Sequence, residues 1–262
     1  EETGLLVEVT GLRAVLADVV TAGDVAVHND RIVYDVAVRG GRLRDELDGT
    51  TDAAAWYARD DLPALPLVPF AAEFLALAAL ARASRLFPPC RRPFARSLRS
   101  FDSGPPAGGD AKPAAARGQR FGVYGLVTGP AGRVLLTLIA DGYPGAGRWH
   151  LPGGGTDHGE QPESAFLREL AEESDQLGRV TGLLDVSHRR NPAALGPEGY
   201  PIDFHSVRVL YRAVVDRPTE PTVTEAAGGS TARAAWFPPA DAARLPLTDI
   251  ADYGLGWLRR LG

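Results

Sequence analysis

The 262-residue chain has no methionine, even at position 1, and a single cysteine, Cys90. The missing methionine leads to the expectation that the chain begins inside a longer reading frame or has been trimmed. One cysteine excludes an internal disulfide framework and suits a reducing cytoplasm. Cys90 follows Pro88 and Pro89 in a loop-like stretch, where a functional thiol is not expected. No apolar run reaches the ~20 residues of a membrane span, and no signal-peptide pattern opens the chain. There is no basic excess either. Lys and Arg number 28 against 33 Asp and Glu, and the net charge of −5 argues against general nucleic-acid binding. Apolar content is ordinary, so a sizeable core is available to one large domain or two small ones.

What the chain does have is concentrated between Leu151 and Gln176, LPGGGTDHGEQPESAFLRELAEESDQ. Gly153–Gly155 lead into an acidic loop ending at Glu160. Pro162 suits the first position of a helix, where its missing N–H is no loss. Leu167, Leu170 and Ala171 mark one apolar side. At about 100° per residue, Glu169, Glu172 and Glu173 fall within roughly a 100° arc of the other side. Carboxylates packed this closely repel one another. Clustered on a rigid element, they are what a hard cation such as Mg²⁺ wants. A glycine loop at a helix N-terminus lets backbone N–H groups approach an anion. A divalent cation beside a phosphate cradle points to phosphoryl chemistry.

At these residues the chain resembles the Nudix hydrolase family, whose box is G-x5-E-x7-R-E-U-x-E-E-x-G-U, with U aliphatic. Gly154, Glu160, Arg168, Glu169, Leu170, Glu172 and Glu173 fit that pattern. Asp175 stands where the box has Gly, and Gln176 where it has an aliphatic residue. The Gly position would be a left-handed cap after the helix, which Asp tolerates at a small cost in stability. The resemblance implies an α/β fold, a Nudix-type α/β/α sandwich with a mixed sheet. It implies Mg²⁺-dependent hydrolysis of a diphosphate bond in a nucleoside diphosphate linked to another moiety, with Mn²⁺ as the alternative cation. Glu172 and Glu173 match the metal-binding pair, Glu169 a further ligand or catalytic base, and Glu160 the loop Glu that supports the metal. Arg168 matches the residue that orients a box carboxylate, and Gly154 the box Gly. Family members recruit one more carboxylate from outside the box; Glu225 is the candidate, with Glu220 second. Gly153, Gly154, Gly155 and His205 are the candidate substrate contacts. His158, Trp149 and Tyr143 border the box loop.

Residues 1–5, EETGL, resemble the tail of a second such box. Shifted by 171 residues, the chain matches itself without a gap at Glu2 and Glu173, Val9 and Val180, Gly11 and Gly182, and Val15 and Val186. Further on, His28, Arg31 and Tyr34 match His205, Arg208 and Tyr211, and Gly49, Thr51 and Trp56 match Gly229, Thr231 and Trp236. Residues 1–85 are therefore expected to be the C-terminal half of a first, catalytically incomplete copy. Residues 86–119 read as a Pro/Gly/Ala-rich linker and residues 120–262 as a complete domain. Basic residues around Phe94 read as a solvated part of that linker.

In the first copy, strands are expected within Leu5–Val20 and Asp30–Arg39. A turn is expected at Asp48-Gly49, a short strand over Asp52–Tyr57 anchored by a core Trp56, and a helix over Pro69–Ser84. In the second, Arg120–Thr128 and Arg133–Ile139 read as partner strands, followed by a loop over Ala140–Arg148. Gly178–Arg190 and Asp203–Val215 read as strands around a long loop, Asn191–Pro201, the candidate substrate wall. Ala234–Phe237 and a helix over Asp249–Leu261 close the domain, with Trp236 in the core. The expected partner is a small-molecule nucleotide, with no nucleic acid and no membrane; a homodimer is the association the family suggests. The competing reading is a nucleotide-sensing or interaction module that binds without cutting, motivated by the broken first copy and by Asp175-Gln176.

Overall fold

The computed structural model describes residues 2–46, 51–84, 116–195, 201–224 and 229–261. The turn expected at Asp48-Gly49 and the roles expected of Cys90, Phe94 and Glu225 fall outside these residues. Two compact units are present, Glu1–Ala14 with Ile32–Ser100, and Val15–Arg31 with Phe101–Gly262.

Two long strands open the chain, β1 (Leu5–Ala22) and β2 (Val25–Gly41), and they pair with each other. Glu8 meets Arg39, Arg13 meets Asp35 and Asp18 meets Arg31, so the pairing is antiparallel. Both strands were legible in the alternation of β-branched and polar residues. A short 3-10 helix, Arg59–Ala64, and helix α1 (Pro69–Ser84) follow, the helix with the bounds expected. The expected strand over Asp52–Tyr57 is absent, and Trp56 is 70% exposed instead of buried. Its counterpart Trp236 sits on a strand because a neighbouring strand pairs with it, opposite Leu135. Among the described residues up to 84, the only two strands are already paired with each other.

The second unit is built on a seven-stranded mixed sheet. Its path runs β5 (Trp149–His150), β4 (Val134–Ile139), β3 (Ala116–Thr128), β8 (Pro201–Val214), β7 (Arg179–Leu195). β6 (Gly153–Gly155) pairs with β3, and β9 (Thr231–Phe237) pairs with β4. β3 and β8 run parallel and the other pairs antiparallel. The structure departs from the sequence expectation in three places. β3 begins at Ala116, inside the expected linker, because pairing with β8 from Ile202 onward extends it. β3 and β4 meet only at Thr128 and Val134; beyond that point β4 pairs with β9 and β5. The described part of Asn191–Pro201 is strand, since β7 continues to Leu195 and β8 starts at Pro201.

Alternation along the strands divides the core. Val123, Val127, Leu135, Val209, Tyr211 and Ala213 pack with Ala165, Phe166 and Leu170 of helix α2 (Pro162–Ser174). Leu126, Leu136 and Leu210 are buried too, pointing the other way. There, helix α4 (Asp249–Leu261), which follows the short α3 (Pro239–Ala242), contacts β3 and β5 and buries Ile250, Ala251 and Leu255. A sheet covered on both faces is the expected sandwich. The apolar side of α2 is Ala165, Phe166 and Leu170; Leu167 and Ala171 are only half-buried.

The helix ends as the sequence suggests. Asp175 adopts φ 54°, the one positive φ of a non-glycine among the described residues, and its N–H donates to the Ala171 carbonyl. Gln176 is fully buried where an aliphatic side chain was expected. Its amide donates to Ser174 O, Asp175 O and Thr219 Oγ1 and accepts from the Thr219 N–H at 3.0 Å. Every polar atom of that buried side chain is thereby satisfied. Trp149 is buried and packs edge-on to Phe237 at 4.7 Å, so it is a core residue.

Asp175→Gly is expected to stabilise the fold by about 0.5–1 kcal/mol, since glycine adopts the left-handed region without strain; urea melts read it. His150 is half-buried by surface area, edge-on to Tyr124 and bonded to Thr248 through Nδ1 at 2.6 Å, and the desolvation of its ring pushes its pKa down to about 4 from 6.5. The unfolded chain then takes up this proton first. Stability should be full above pH 6.5 and fall as the pH drops toward 4, by up to about 3 kcal/mol. Melts across that range should be flatter in His150→Gln.

Candidate active site

β6, the loop to Glu160 and α2 bring the acidic side chains together. Arg168 is the hub. Its Nε and Nη2 donate to the two oxygens of Glu160 at 3.0 and 2.9 Å, a bidentate fork. Nη1 donates to Glu169 at 3.0 Å and to Glu172 at 3.2 Å, and Nη2 also reaches the Gly155 carbonyl at 3.1 Å. One guanidinium thus bridges three carboxylates that would otherwise repel, and pins the loop to the helix. It holds the Glu160 carboxyl below its ordinary pKa. Burial pushes Glu169 the other way, above the ordinary carboxylate range, against the pull of Arg168.

Glu173 is set apart. It is 3% exposed, and its carboxylate accepts from the Gly153 N–H at 2.9 Å and from the Thr231 hydroxyl of β9. The acidic face expected of α2 is therefore split. Glu169 and Glu172 meet Arg168, while Glu173 turns inward and ties the helix to β6 and β9. The glycines are needed for contact as well as shape. Gly153 has φ 137°, and a Cβ there would overlap the Val123 carbonyl. A Cβ at Gly154 would overlap the Glu169 carboxylate. Gly153–Gly155 form a strand edge against Tyr124, Val123 and Gly122, and not an open loop.

Beside this cluster lies a cavity of about 590 Å³, whose wall includes Glu169, Arg120, Gly155 and His158. Arg120 sits next to Gly155 and brings a positive charge to the cavity. Hard carboxylate oxygens on one helix face suit a divalent cation such as Mg²⁺, and the space kept open at Gly154 lets Glu169 close onto the loop. Among the described residues, no three His, Cys, Asp or Glu side chains already converge on one cation-sized point.

The family model of the NUDIX domain matches residues 118–258, more than half of the chain. The chain belongs to the NUDIX family. Its box helix is α2, its box loop the stretch from Gly154 to Glu160, and its reaction class is that of a hydrolase acting on nucleoside diphosphate linkages. Solved structures similar to it include a MutT NUDIX hydrolase from Burkholderia pseudomallei, at 28% identity and a TM-score of 0.40. That match covers 53% of this chain and 96% of that one. The NUDIX domain of Shewanella oneidensis NrtR, in complex with ADP ribose, is similar at 24% identity and 0.42, over 58% and 95%. An Ap4A hydrolase from C. elegans is similar at 16% and 0.40, over 54% and 96%. No curated protein matches the chain.

Within the Nudix domain, Arg168, Glu160, Glu169 and Glu172 come together, and Glu173 stands behind them. His205 lies on β8, with its ring 5.4 Å from that of His188 and outside the cavity wall. Glu220 lies on the exposed stretch after β8. Two residues of the site were not named from the sequence: Thr231 and Arg120. The repeat held a trace of the first, since Thr231 aligns with Thr51; the other carries no local motif. Gly154→Ala should displace the Glu169 carboxylate and lower kcat at least tenfold while leaving the thermal midpoint within a few degrees. Steady-state rates and melts on the same preparations check both.

Proposed function

We propose that residues 120–262 are a Mg²⁺-dependent pyrophosphohydrolase, with Mn²⁺ as the alternative cation, cleaving a diphosphate bond between a nucleotide and a second group. The observation that carries the reading is the Arg168 hub, which fixes Glu160, Glu169 and Glu172 beside a cavity that also holds Arg120. Glu169, Glu172, Glu173 and Glu160 are the residues that would hold the cation, with Glu225 as the carboxylate recruited from outside the box. Bound there, a divalent ion lowers the pKa of water and offsets charge on phosphoryl oxygens. Arg120 binds a phosphate oxygen. Glu169, whose burial makes it a stronger base than an ordinary carboxylate, accepts the proton of the attacking water. The new bond is water oxygen to phosphorus, and the bond broken joins phosphorus to the bridging oxygen, which leaves with the second group. Arg168 positions Glu169 and takes no proton.

The first 85 residues are read as the second half of an incomplete Nudix copy. The collinear matches support this, as does an antiparallel β1–β2 pair that aligns with β7 and β8. The stretch that precedes β3 at Ala116 is then the linker, and a cytoplasmic location belongs to the same reading. Among the described residues no helix is long and apolar enough to cross a membrane.

A sensing module that binds nucleotide without cutting is the second reading. It is favoured by Arg168 already occupying three carboxylates and by Glu173 turning inward. Phosphate release by the full chain with Mg²⁺, across nucleoside triphosphates, dinucleoside polyphosphates, ADP-ribose and NADH, separates the two. Turnover is expected, falling at least about 100-fold in Glu169→Gln and Glu172→Gln. Tight nucleotide binding with no turnover on any of these compounds would move the conclusion to the sensing module.

A further inference from the structure

The outer part of the β1–β2 hairpin belongs to the same compact unit as the box. Val15 is buried within the cluster that holds Phe166. Ala17 is buried, and both of its backbone groups close on one side chain. Its N–H donates to Gln161 Oε1 at 3.0 Å, and its carbonyl accepts from Gln161 Nε2 at 2.6 Å. A side-chain amide used in this way copies a rung of a β-ladder. On the neighbouring strand, His28 accepts the Gly159 N–H through Nδ1 at 3.1 Å. Two residues of the box region, Gly159 and Gln161 on either side of Glu160, are thus fastened to a segment far outside the domain's matched range of 118–258.

That fastening brings His28 and Asp30 into the wall of the cavity that holds Glu169 and Arg120. Because Nδ1 of His28 is an acceptor, the proton of the neutral ring sits on Nε2. Nε2 is buried 3.4 Å from Asp30 Oδ1, and neither atom has a hydrogen-bond partner. The two side chains keep 13% and 21% of their surface exposed. A ring N–H beside a carboxylate oxygen is a donor next to an acceptor, and a hydroxyl group answers both at once. Asp30 stands outside the cation site proposed above and its carboxylate repels phosphate, so its end of the cavity is not the phosphate end; Arg120 marks that one. Gln119, Thr156 and His158 add hydrogen-bonding groups to the wall, and Phe121 is its one large apolar side chain. A base needs a stacking surface, whereas a sugar needs hydrogen-bond partners.

We propose that the tip of the β1–β2 hairpin is the outer wall of the substrate cavity, and that His28 and Asp30 bind the hydroxyl-bearing sugar attached to the diphosphate. This rests on the reading of the site as a nucleotide site and assigns the second group in the substrate. Residues 118–258 alone lack that part of the site.

Calorimetric titration of the full chain with ADP-ribose and with ADP, both in EDTA to prevent turnover, tests it. The two probes differ by the terminal sugar. His28→Asn keeps an acceptor for the Gly159 N–H and removes the Nε2 donor; Asp30→Asn keeps shape and removes charge. Each is expected to weaken ADP-ribose at least tenfold and to leave ADP within twofold, with thermal midpoints unchanged. Equal loss for both ligands would assign the two residues to loop support and overturn the proposal. Wild-type binding of both ligands that neither substitution alters, or ADP-ribose held no tighter than ADP, would also overturn it while leaving the nucleotide site standing. A wild-type chain that binds neither ligand, in EDTA or with Mg²⁺ restored, would remove the nucleotide reading and this inference together.

Discussion

Five hydrogen bonds from one guanidinium hold the site in shape. Without Arg168, three carboxylates within reach of one another would splay toward water, and the loop carrying Glu160 would lose its tie to α2. The planar fork of Arg makes this possible. A lysine offers one charge from one point and could not bond both oxygens of Glu160 while reaching Glu169, Glu172 and the Gly155 carbonyl. The spacing of the box follows from that reach. Glu169 and Glu172 are one and four residues along the helix, and Glu160 is eight residues back, across the turn that leads into it.

Much of this was legible in the residues themselves. The helix had its proline at the first position and its left-handed cap at Asp175, and both stand where the chain chemistry puts them. The acidic cluster was visible as a pattern, but its division was not. An angular projection treats Glu169, Glu172 and Glu173 alike. What turns Glu173 inward is the Thr231 hydroxyl on a strand 58 residues away and the Gly153 N–H, neither of which has a signature in the helix. The limits of strands were hidden for a similar reason. The proline- and glycine-bearing stretch after Arg190 reads as loop by composition, yet pairing with β8 carries it on as strand as far as Leu195. Trp56 failed in the opposite direction. Its sequence resembles that of Trp236, but burial of an aromatic depends on a neighbour, and Trp236 has β4 beside it.

The hairpin matters to the box as well as to its own unit. β1 and β2 pair with each other, and the outer part of that pair lies against the box through Ala17 and His28. His28 was visible as the match of His205, and that likeness hid the difference between them. One ring packs against a histidine on a strand, and the other accepts a hydrogen bond from the box loop.

Gln176 carries a lesson about how such sites are found. At a position where the family pattern asks for a greasy side chain, this chain has an amide, and the amide is as buried as any leucine in the domain. Its bonds to Thr219 replace a hydrophobic fastening by a polar one that joins the end of α2 to the stretch after β8. The fastening survives and only its chemistry has changed. A search that scores the letter at that position would read erosion, while one that asks whether the end of the helix is anchored would read a working box. The same question, asked of other chains with an Asn or Gln at this place and a Thr some forty residues on, could recover relatives that a pattern written in letters passes over.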